Sequence, residues 1–225
     1  AIGISVFLLI AEYVASEWSA NRFHQNYDRL YRAASTSKEG TEYYLPPGYA
    51  PILKQKFPAI EATVRVANGI GGGVLTYTTP SGEQKTFRED YIIYTEGNFL
   101  EVFSFPLISG SPSIKAPATL ALTESVAKKL LGSIDVVGKT ITVSNQFGNT
   151  IYTINAVIKD IPQSSDIKGN VFLSIHTLES EANRDSNDWA DPNTLESGFV
   201  NIYTLLQKNT NVGAFEKQVT EFIHN

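Results

Sequence analysis

The chain has 225 residues, with 18 lysines and arginines against 23 aspartates and glutamates, and therefore a net charge of −5. This length can bury a core without disulfides, and the acidic balance argues against a nucleic-acid partner, which would require clustered lysine and arginine. The absence of cysteine excludes a disulfide framework, a thiolate metal site and a cysteine nucleophile.

The first residues predict a membrane-associated helix. Residues 1–11 are uncharged and apolar, and no helix breaker interrupts the continuation through Tyr13 and Trp18. A transmembrane helix needs roughly 20 apolar residues, and amphipathic aromatic side chains concentrate at the membrane interface. We therefore expect the outer end of a transmembrane helix, although a short apolar run also suits a buried core helix. Amphipathic spacing then predicts a stalk helix that continues to Leu30.

Strands and one helix are predicted over the first half of the chain from apolar periodicity and turn-forming residues. The predicted segments are strands at residues 30–35 and 62–67, a helix at residues 49–57, and a hairpin with arms at residues 74–79 and 86–94. The glycine-rich residues 69–73 lack a dinucleotide fingerprint and are interpreted as a flexible turn or bulge.

The aromatic run from Phe99 to Phe105 allows two interpretations. A short helix that plugs a core is the more usual role, because burial of aromatic rings dominates core energetics. The alternative is an apolar pocket, which would make the chain a soluble or lipid-tethered ligand-binding domain. That alternative predicts a closed apolar cavity with a few convergent polar groups.

Residues 120–162 form the clearest unit, with the predicted order strand, helix, turn, strand, turn, strand. Thr123 precedes a helical apolar pattern, so we expect its hydroxyl to cap that helix and Gly132 to end it. The last strand is expected to end before Pro162, because proline cannot extend a ladder of backbone hydrogen bonds. We expect the rest of the chain to be arranged around this unit.

The sequence Gly138-Lys139-Thr140 resembles the end of a phosphate-binding loop but fails two tests. That loop needs a glycine five residues before its second glycine, where this chain has Ser133. It must also lead from a strand into a helix whose N–H groups face the phosphate, whereas a β-branched strand follows here. We therefore predict no nucleotide binding.

The acidic residues 179–197 have the least regular pattern in the chain. A calcium loop starting at Asp185 would need glycine at its sixth position, where the chain has Ala190. A mobile, solvated loop is therefore expected here. Strands at residues 171–175 and 199–206 flank this loop, and helical spacing from Val212 predicts a closing helix.

No sequence motif points to catalysis, to a metal or to a cofactor. The histidines His24, His176 and His224 lie far apart, and none belongs to a metal-spaced pair. No Gly-x-Ser-x-Gly nucleophile motif occurs, although carboxylate pairs that are distant in sequence stay open. We predict a protein that is not an enzyme, with no catalytic, cofactor-binding or metal-binding residues.

Several blocks of sequence occur together in an order that is shared with one protein family. The blocks are residues 23–32, 56–61, 96–110, 121–132, 137–141, 152–162 and 165–168. As a set they resemble the MacB-like and FtsX-like permeases of ABC transporters, most closely those common in Bacteroidetes. Each block is weak alone, but the resemblance covers nearly the whole chain.

The resemblance implies a non-catalytic periplasmic core domain of α+β fold, attached to the inner membrane by flanking transmembrane helices. It further implies an outer membrane-helix end and stalk in residues 1–30 and a porter-like subdomain in residues 31–96 and 198–225. An inserted, sabre-like subdomain would occupy residues 97–197.

The resemblance also implies partners and a role. The partners would be a cytoplasmic ABC ATPase, a second permease copy and a periplasmic membrane-fusion or other protein. ATP-driven movement would pass through the stalk to periplasmic substrates or partner proteins during export or efflux.

Overall fold

The computed structural model describes residue 21 and residues 23–224, apart from the side chains of residues 223 and 224. The strands are β1 (Leu30–Arg32), β2 (Ser35–Ser37), β3 (Gly40–Glu42), β4 (Ile60–Ala67), β5 (Gly73–Thr78), β6 (Gln84–Glu89), β7 (Ile92–Thr95), β8 (Leu107–Gly110), β9 (Thr119–Thr123), β10 (Thr140–Asn145), β11 (Gly148–Ile158), β12 (Val171–Ser174) and β13 (Asn201–Leu206). The helices are α1 (Tyr49–Lys56), α2 (Phe99–Val102), α3 (Glu124–Leu131) and α4 (Val212–His224), with short 3-10 helices η1 (Ile175–Glu179), η2 (Glu181–Asn183) and η3 (Asp188–Ala190).

One mixed sheet organises these elements. Its strands lie in the order β1-β13-β4-β7-β12-β9-β11-β10-β5-β6, and β8 pairs with the end of β11. Neighbouring strands are antiparallel except for β7 with β12 and β9 with β11. Every residue of β7 and β12 is buried, which is why these central strands have nearly continuous apolar sequences. The α+β class predicted from the sequence is confirmed.

The central strands contribute side chains to both faces of the sheet, because successive residues of a strand point in opposite directions. On one face, Leu120 and Leu173 belong to a core layer that includes the buried side of α3. On the other face, Ala121 and Phe172 pack with the aromatic run from Phe99 to Phe105. That run therefore plugs the core, as the preferred interpretation predicts.

The predicted central unit is confirmed, since β9, α3, β10 and β11 follow one another in that order, and α3 ends at Gly132 with φ +74°.

The predicted cap of α3 by the Thr123 hydroxyl is wrong. The Thr123 hydroxyl makes no cap hydrogen bond and is buried without a partner among the described residues. Asp160 caps the helix instead. It accepts the Ser125 backbone N–H at 3.1 Å on one oxygen and the Ser125 hydroxyl at 2.5 Å on the other.

Substitution at these two positions should separate the true cap from the predicted one. We expect Asp160→Ala to lower the free energy of unfolding by about 1 kcal/mol, the usual cost of losing a helix cap. Thr123→Val should be close to neutral, because it removes a buried hydroxyl that has no partner. Urea unfolding of both variants measures the difference, and an equal loss at Thr123 would contradict the assignment of Asp160.

The second arm of the predicted hairpin is not one strand. β6 ends at Glu89 and β7 begins at Ile92, and between them the Tyr91 backbone N–H donates to a Glu89 carboxylate oxygen at 2.9 Å. β6 lies at the edge of the sheet, whereas β7 lies between β4 and β12. The turn thus moves the chain from an edge to the centre.

Residues 179–197 combine short 3-10 helices with turns, and most of these residues are exposed, as expected of a solvated loop. The segment contains η2 and η3 and buries Arg184, whose guanidinium donates to the carbonyls of Leu178 at 2.8 Å and Glu179 at 3.1 Å. The segment has no periodic set of apolar side chains, and the buried Arg184 guanidinium holds its backbone by these hydrogen bonds instead.

The glycine-rich residues 69–73 lead into β5, as expected of a turn. A Cβ atom at Gly73 would lie 2.3 Å from the Ser144 carbonyl oxygen, and one at Gly71 would lie 2.6 Å from that of Ile92. These glycines are therefore explained by close backbone approach to β10 and β7.

The membrane helix predicted at residues 1–11 lies outside the described residues. Among the residues that are described, no helix combines the length and the hydropathy needed to cross a membrane. The stalk helix predicted to continue to Leu30 is wrong at its end, because residues 23–29 form turns before β1 begins.

The predicted division into residues 31–96 with 198–225 and an insertion at residues 97–197 stays a prediction. The sheet continues across both proposed boundaries, since β7 pairs with β12 and β5 pairs with β10.

Candidate functional site

The candidate site is the region where both ends of the described chain meet the sheet. β1 is antiparallel to β13, with Leu30 opposite Leu205, so the start of β1 lies beside the end of β13. The chain therefore enters the sheet next to the point where it leaves toward α4. We call residues 21–30 together with residues 205–212 the chain-end junction.

Arg29 links the two ends directly. Its guanidinium donates to the Leu206 carbonyl at 2.6 Å, to the Glu61 carboxylate at 2.6 Å and to the Asn26 side-chain oxygen at 2.9 Å. The Leu206 backbone N–H returns a hydrogen bond to the Arg29 carbonyl at 3.0 Å. A single side chain thus ties residues 21–30, which we call the entering segment, to the end of β13 and to β4, where Glu61 lies.

Asn21 fixes the far end of the entering segment. Its side-chain amide donates to Asp166 at 2.6 Å and accepts the Asp166 backbone N–H at 3.0 Å. Its own backbone N–H donates to the Ser164 carbonyl at 3.1 Å. The segment is therefore attached to the loop after β11 as well as to the sheet.

His24 anchors the middle of the segment in the aromatic core. The side chain is 3 % exposed, and its ring makes edge contacts with Phe103 and Phe105 at centroid distances of 5.3 and 5.4 Å. Its Nδ1 atom hydrogen-bonds to the Phe103 carbonyl, and Nε2 has no partner among the described residues. Burial lowers the pKa of His24, so the ring is neutral and Nδ1 carries the donated proton.

The leaving end is held by helix packing. Phe215 and Phe222 of α4 each contact the Phe57 ring edge-on, at centroid distances of 5.8 and 5.6 Å. These rings join a small apolar cluster with Leu53 and Leu206. An open polar cleft of about 540 Å³ lies at the chain-end junction and is bordered by Asp28 and Lys208 among other residues.

A second group of charged side chains lies at the carboxyl end of β7. Arg65 hydrogen-bonds through Nε to a Glu96 carboxylate oxygen and through a terminal nitrogen to the Pro192 carbonyl at 2.5 Å. Burial alone would raise the pKa of Glu96, but the hydrogen bond from His176 and the charge of Arg65 outweigh burial and lower it. Glu96 is therefore an anion inside the protein.

The aromatic run from Phe99 to Phe105 does not surround an empty space. The Phe99 ring is fully buried and lies 4.9 Å from Phe103, 5.3 Å from Phe105 and 4.9 Å from Phe172, measured between centroids. Phe103 also borders a groove of about 270 Å³ beside His24. The rings thus fill the volume that the pocket interpretation would leave for a ligand.

Within the described ranges, no three His, Asp or Glu side chains are grouped so that they could hold a metal ion. Glu96 and Glu179 approach opposite nitrogens of the His176 ring, so these three groups cannot converge on one ion. The expectation that the chain has no catalytic, cofactor-binding or metal-binding residues stays a prediction.

Comparison with known families identifies the domain. The family model for the MacB-like periplasmic core domain matches residues 1–222. The chain belongs to this family. It is therefore a periplasmic domain of an ABC transporter permease of the MacB and FtsX type, as the resemblance in sequence implies.

Solved structures share the fold of this MacB-like periplasmic core domain. A domain from Porphyromonas gingivalis, from a protein assigned as a permease, has 20 % sequence identity and a TM-score of 0.68, covering 88 % of this chain and 84 % of its own. The periplasmic region of MacB from Actinobacillus actinomycetemcomitans has 15 % identity and a TM-score of 0.57, with coverages of 86 % and 80 %. Among curated protein sequences, none is similar enough to count as a match.

Sequence reasoning did not find the residues of the chain-end junction in this MacB-like domain. Arg29 and Leu206 are 177 positions apart, and Asn21 and Asp166 are 145 apart. No local motif links such positions. Composition gave one signal for these residues. The segment expected to be an amphipathic stalk helix contains the titratable residue His24 and the charged residue Arg29.

Proposed function

We propose that this domain transmits ATP-driven movement of the permease to periplasmic substrates or partner proteins during export, without catalysing a reaction itself. ATP would be hydrolysed by a cytoplasmic ABC ATPase, and the permease would work as a homodimer in the inner membrane. A periplasmic membrane-fusion protein would be one partner that receives the movement.

The observation that carries this proposal is the direct link between the two chain ends through Arg29. A domain that relays motion must be joined firmly to the segments that move it, and both segments here are fixed to one strand, β13. The entering segment is held at three further points by Asn21, His24 and Asn26, whose side-chain amide donates to the Val102 carbonyl at 3.3 Å. Displacement of either end would therefore move the sheet as a whole.

Loss of the Arg29 link should uncouple movement from ATP hydrolysis. We expect Arg29→Ala in the intact permease to lower export several-fold, because the entering segment loses its hydrogen bonds to Leu206, Glu61 and Asn26. ATP hydrolysis should stay close to the wild-type rate. The measurement compares export with ATPase activity in the same membranes.

Arg88→Ala is the matched control, since Arg88 is 68 % exposed in its side chain and pairs with Asp90 only at the surface. It should leave both export and hydrolysis unchanged. Export that survives Arg29→Ala would contradict the proposal, and a parallel loss of hydrolysis would show that the variant disrupts assembly instead.

Crosslinking gives an independent test, and these 225 residues contain no cysteine that would compete with an introduced one. A single cysteine at Tyr27, which is 53 % exposed and lies in the entering segment, should crosslink between two permease copies to an extent that changes with ATP. A cysteine at Tyr91, which is 57 % exposed but far along the sheet, serves for comparison. Crosslinking at Tyr27 that ignores ATP would count against a moving junction.

A further inference from the structure

His176 lies between two carboxylates at the start of η1. Its Nε2 atom is 3.3 Å from a Glu96 carboxylate oxygen, and its Nδ1 atom is 2.7 Å from a Glu179 carboxylate oxygen. The two carboxylates thus approach opposite sides of one ring. The imidazole side chain is 20 % exposed, which leaves it accessible to protons from solvent.

This arrangement is complete only when the ring is protonated. A neutral imidazole has one N–H donor, whereas the imidazolium ion has two. Carboxylates accept but do not donate hydrogen bonds at neutral pH. Loss of a proton from His176 therefore leaves the lone pair of one ring nitrogen facing a carboxylate.

The two carboxylates connect different parts of the fold. Glu179 lies on η1 with His176, but Glu96 follows β7 and also accepts a hydrogen bond from Arg65 of β4. Arg65 in turn donates to the Pro192 carbonyl, beyond η3. The segment from η1 to η3 is thus attached to the sheet at its beginning through His176 and at its end through Arg65.

We propose that His176 is a pH-sensitive latch, which holds the segment from η1 to η3 against the sheet when protonated and loosens it when the proton is lost. The latch consists of His176, Glu96 and Glu179. Among the described residues, these two carboxylates are the charged groups that contact the ring, and Arg65 acts on it only through Glu96. The proposal concerns the folded domain alone and does not depend on transmission of movement.

The direction of the pH effect follows from the contacts. Hydrogen bonding to Glu96 raises the pKa of His176 most, burial lowers it, and hydrogen bonding to Glu179 adds a further increase, so that the net shift is upward. A raised pKa in the folded state means that the latch is fully effective below the unfolded value of about 6.5. It is lost as the pH rises through the higher value of the folded protein.

NMR titration of the domain tests the latch. The expected results are a His176 pKa above 6.5 and resonance changes along residues 177–192 with the same midpoint. Hydrogen exchange of these amides, corrected for intrinsic rates, should show more frequent opening at high pH, by about tenfold for each unit of raised pKa. His176→Gln should make opening independent of pH across this range.

Two carboxamide substitutions provide a matched pair. Glu179→Gln removes a carboxylate that contacts the ring and should lower the pKa of His176, whereas Glu181→Gln removes the same charge two residues further along and should not. A His176 pKa at or below 6.5, equal effects of the two variants, or opening that does not change with pH in the wild type would each overturn the proposal. Because the pKa is read in the folded protein, a general loss of stability cannot imitate the expected result.

Discussion

Replacing Phe99 with alanine is expected to lower the free energy of unfolding by about 3–5 kcal/mol, the usual cost of truncating a buried phenylalanine. The ring is fully buried and contacts Phe103, Phe105 and Phe172, so its removal leaves a void that these neighbours fill only in part. Urea unfolding measures the loss. An unchanged dependence on urea concentration would show that the unfolded state is unaffected.

Tyr91→Ala is the control, because Tyr91 is 57 % exposed and its removal should change stability by no more than about 0.5 kcal/mol. The same experiment tests the ligand-binding alternative for the aromatic run. If the rings lined a pocket, Phe99→Ala would cost little, and small apolar molecules would stabilise the wild-type protein against urea. Either result would favour ligand binding over transmission of movement as the function of the domain.

Arg65→Ala should be comparably damaging, with a loss of about 3–5 kcal/mol, because removing one partner of a buried ion pair leaves the Glu96 charge with His176 as its remaining charged partner among the described residues. The Arg65 and Glu96 side chains are only 6 % and 17 % exposed, and the lowered pKa of Glu96 keeps it ionised at neutral pH. The variant also loses the hydrogen bond to Pro192. Thermal or urea unfolding at pH 7 measures the effect.

Arg88→Ala provides the comparison for this variant too. The Arg88–Asp90 pair is exposed by 68 % on both sides, and surface pairs of this kind contribute about 0–1 kcal/mol. Equal losses of stability in the two variants would mean that water or His176 alone is enough to compensate the Glu96 charge. Adding Glu96→Gln to Arg65→Ala should recover part of the stability, since the unpaired charge is then removed.

Local pattern was sufficient for elements whose partners are close in the chain. Apolar spacing and Gly132 defined α3, and alternation defined β10 and β11, because a helix or a hairpin satisfies its own backbone hydrogen bonds. Family resemblance, and not periodicity, supplied the periplasmic assignment. The predicted core role of Phe99 to Phe105 followed from composition alone.

Prediction failed where a distant residue decides the local structure. The cap of α3 comes from Asp160, which is 35 positions beyond Ser125, so no rule on neighbouring residues could identify it. β6 lies at the sheet edge and β7 at its centre, and this separation is a property of the assembled fold. Arg65 lies in β4, Glu96 directly follows β7, and His176 lies in η1, so neither the ion pair nor the latch has a sequence motif.

The place of β13 between β1 and β4 sets the order in which the domain can be completed. The hydrogen bond from Arg29 to Leu206 cannot form until Leu206, which is 177 positions away, has been synthesised. At about 5–20 residues per second, that stretch takes on the order of ten seconds. Until then β1 has no neighbour and one side of β4 is open, although the three-residue length of β1 limits mispairing. The chain-end junction therefore cannot close before β13 has been synthesised.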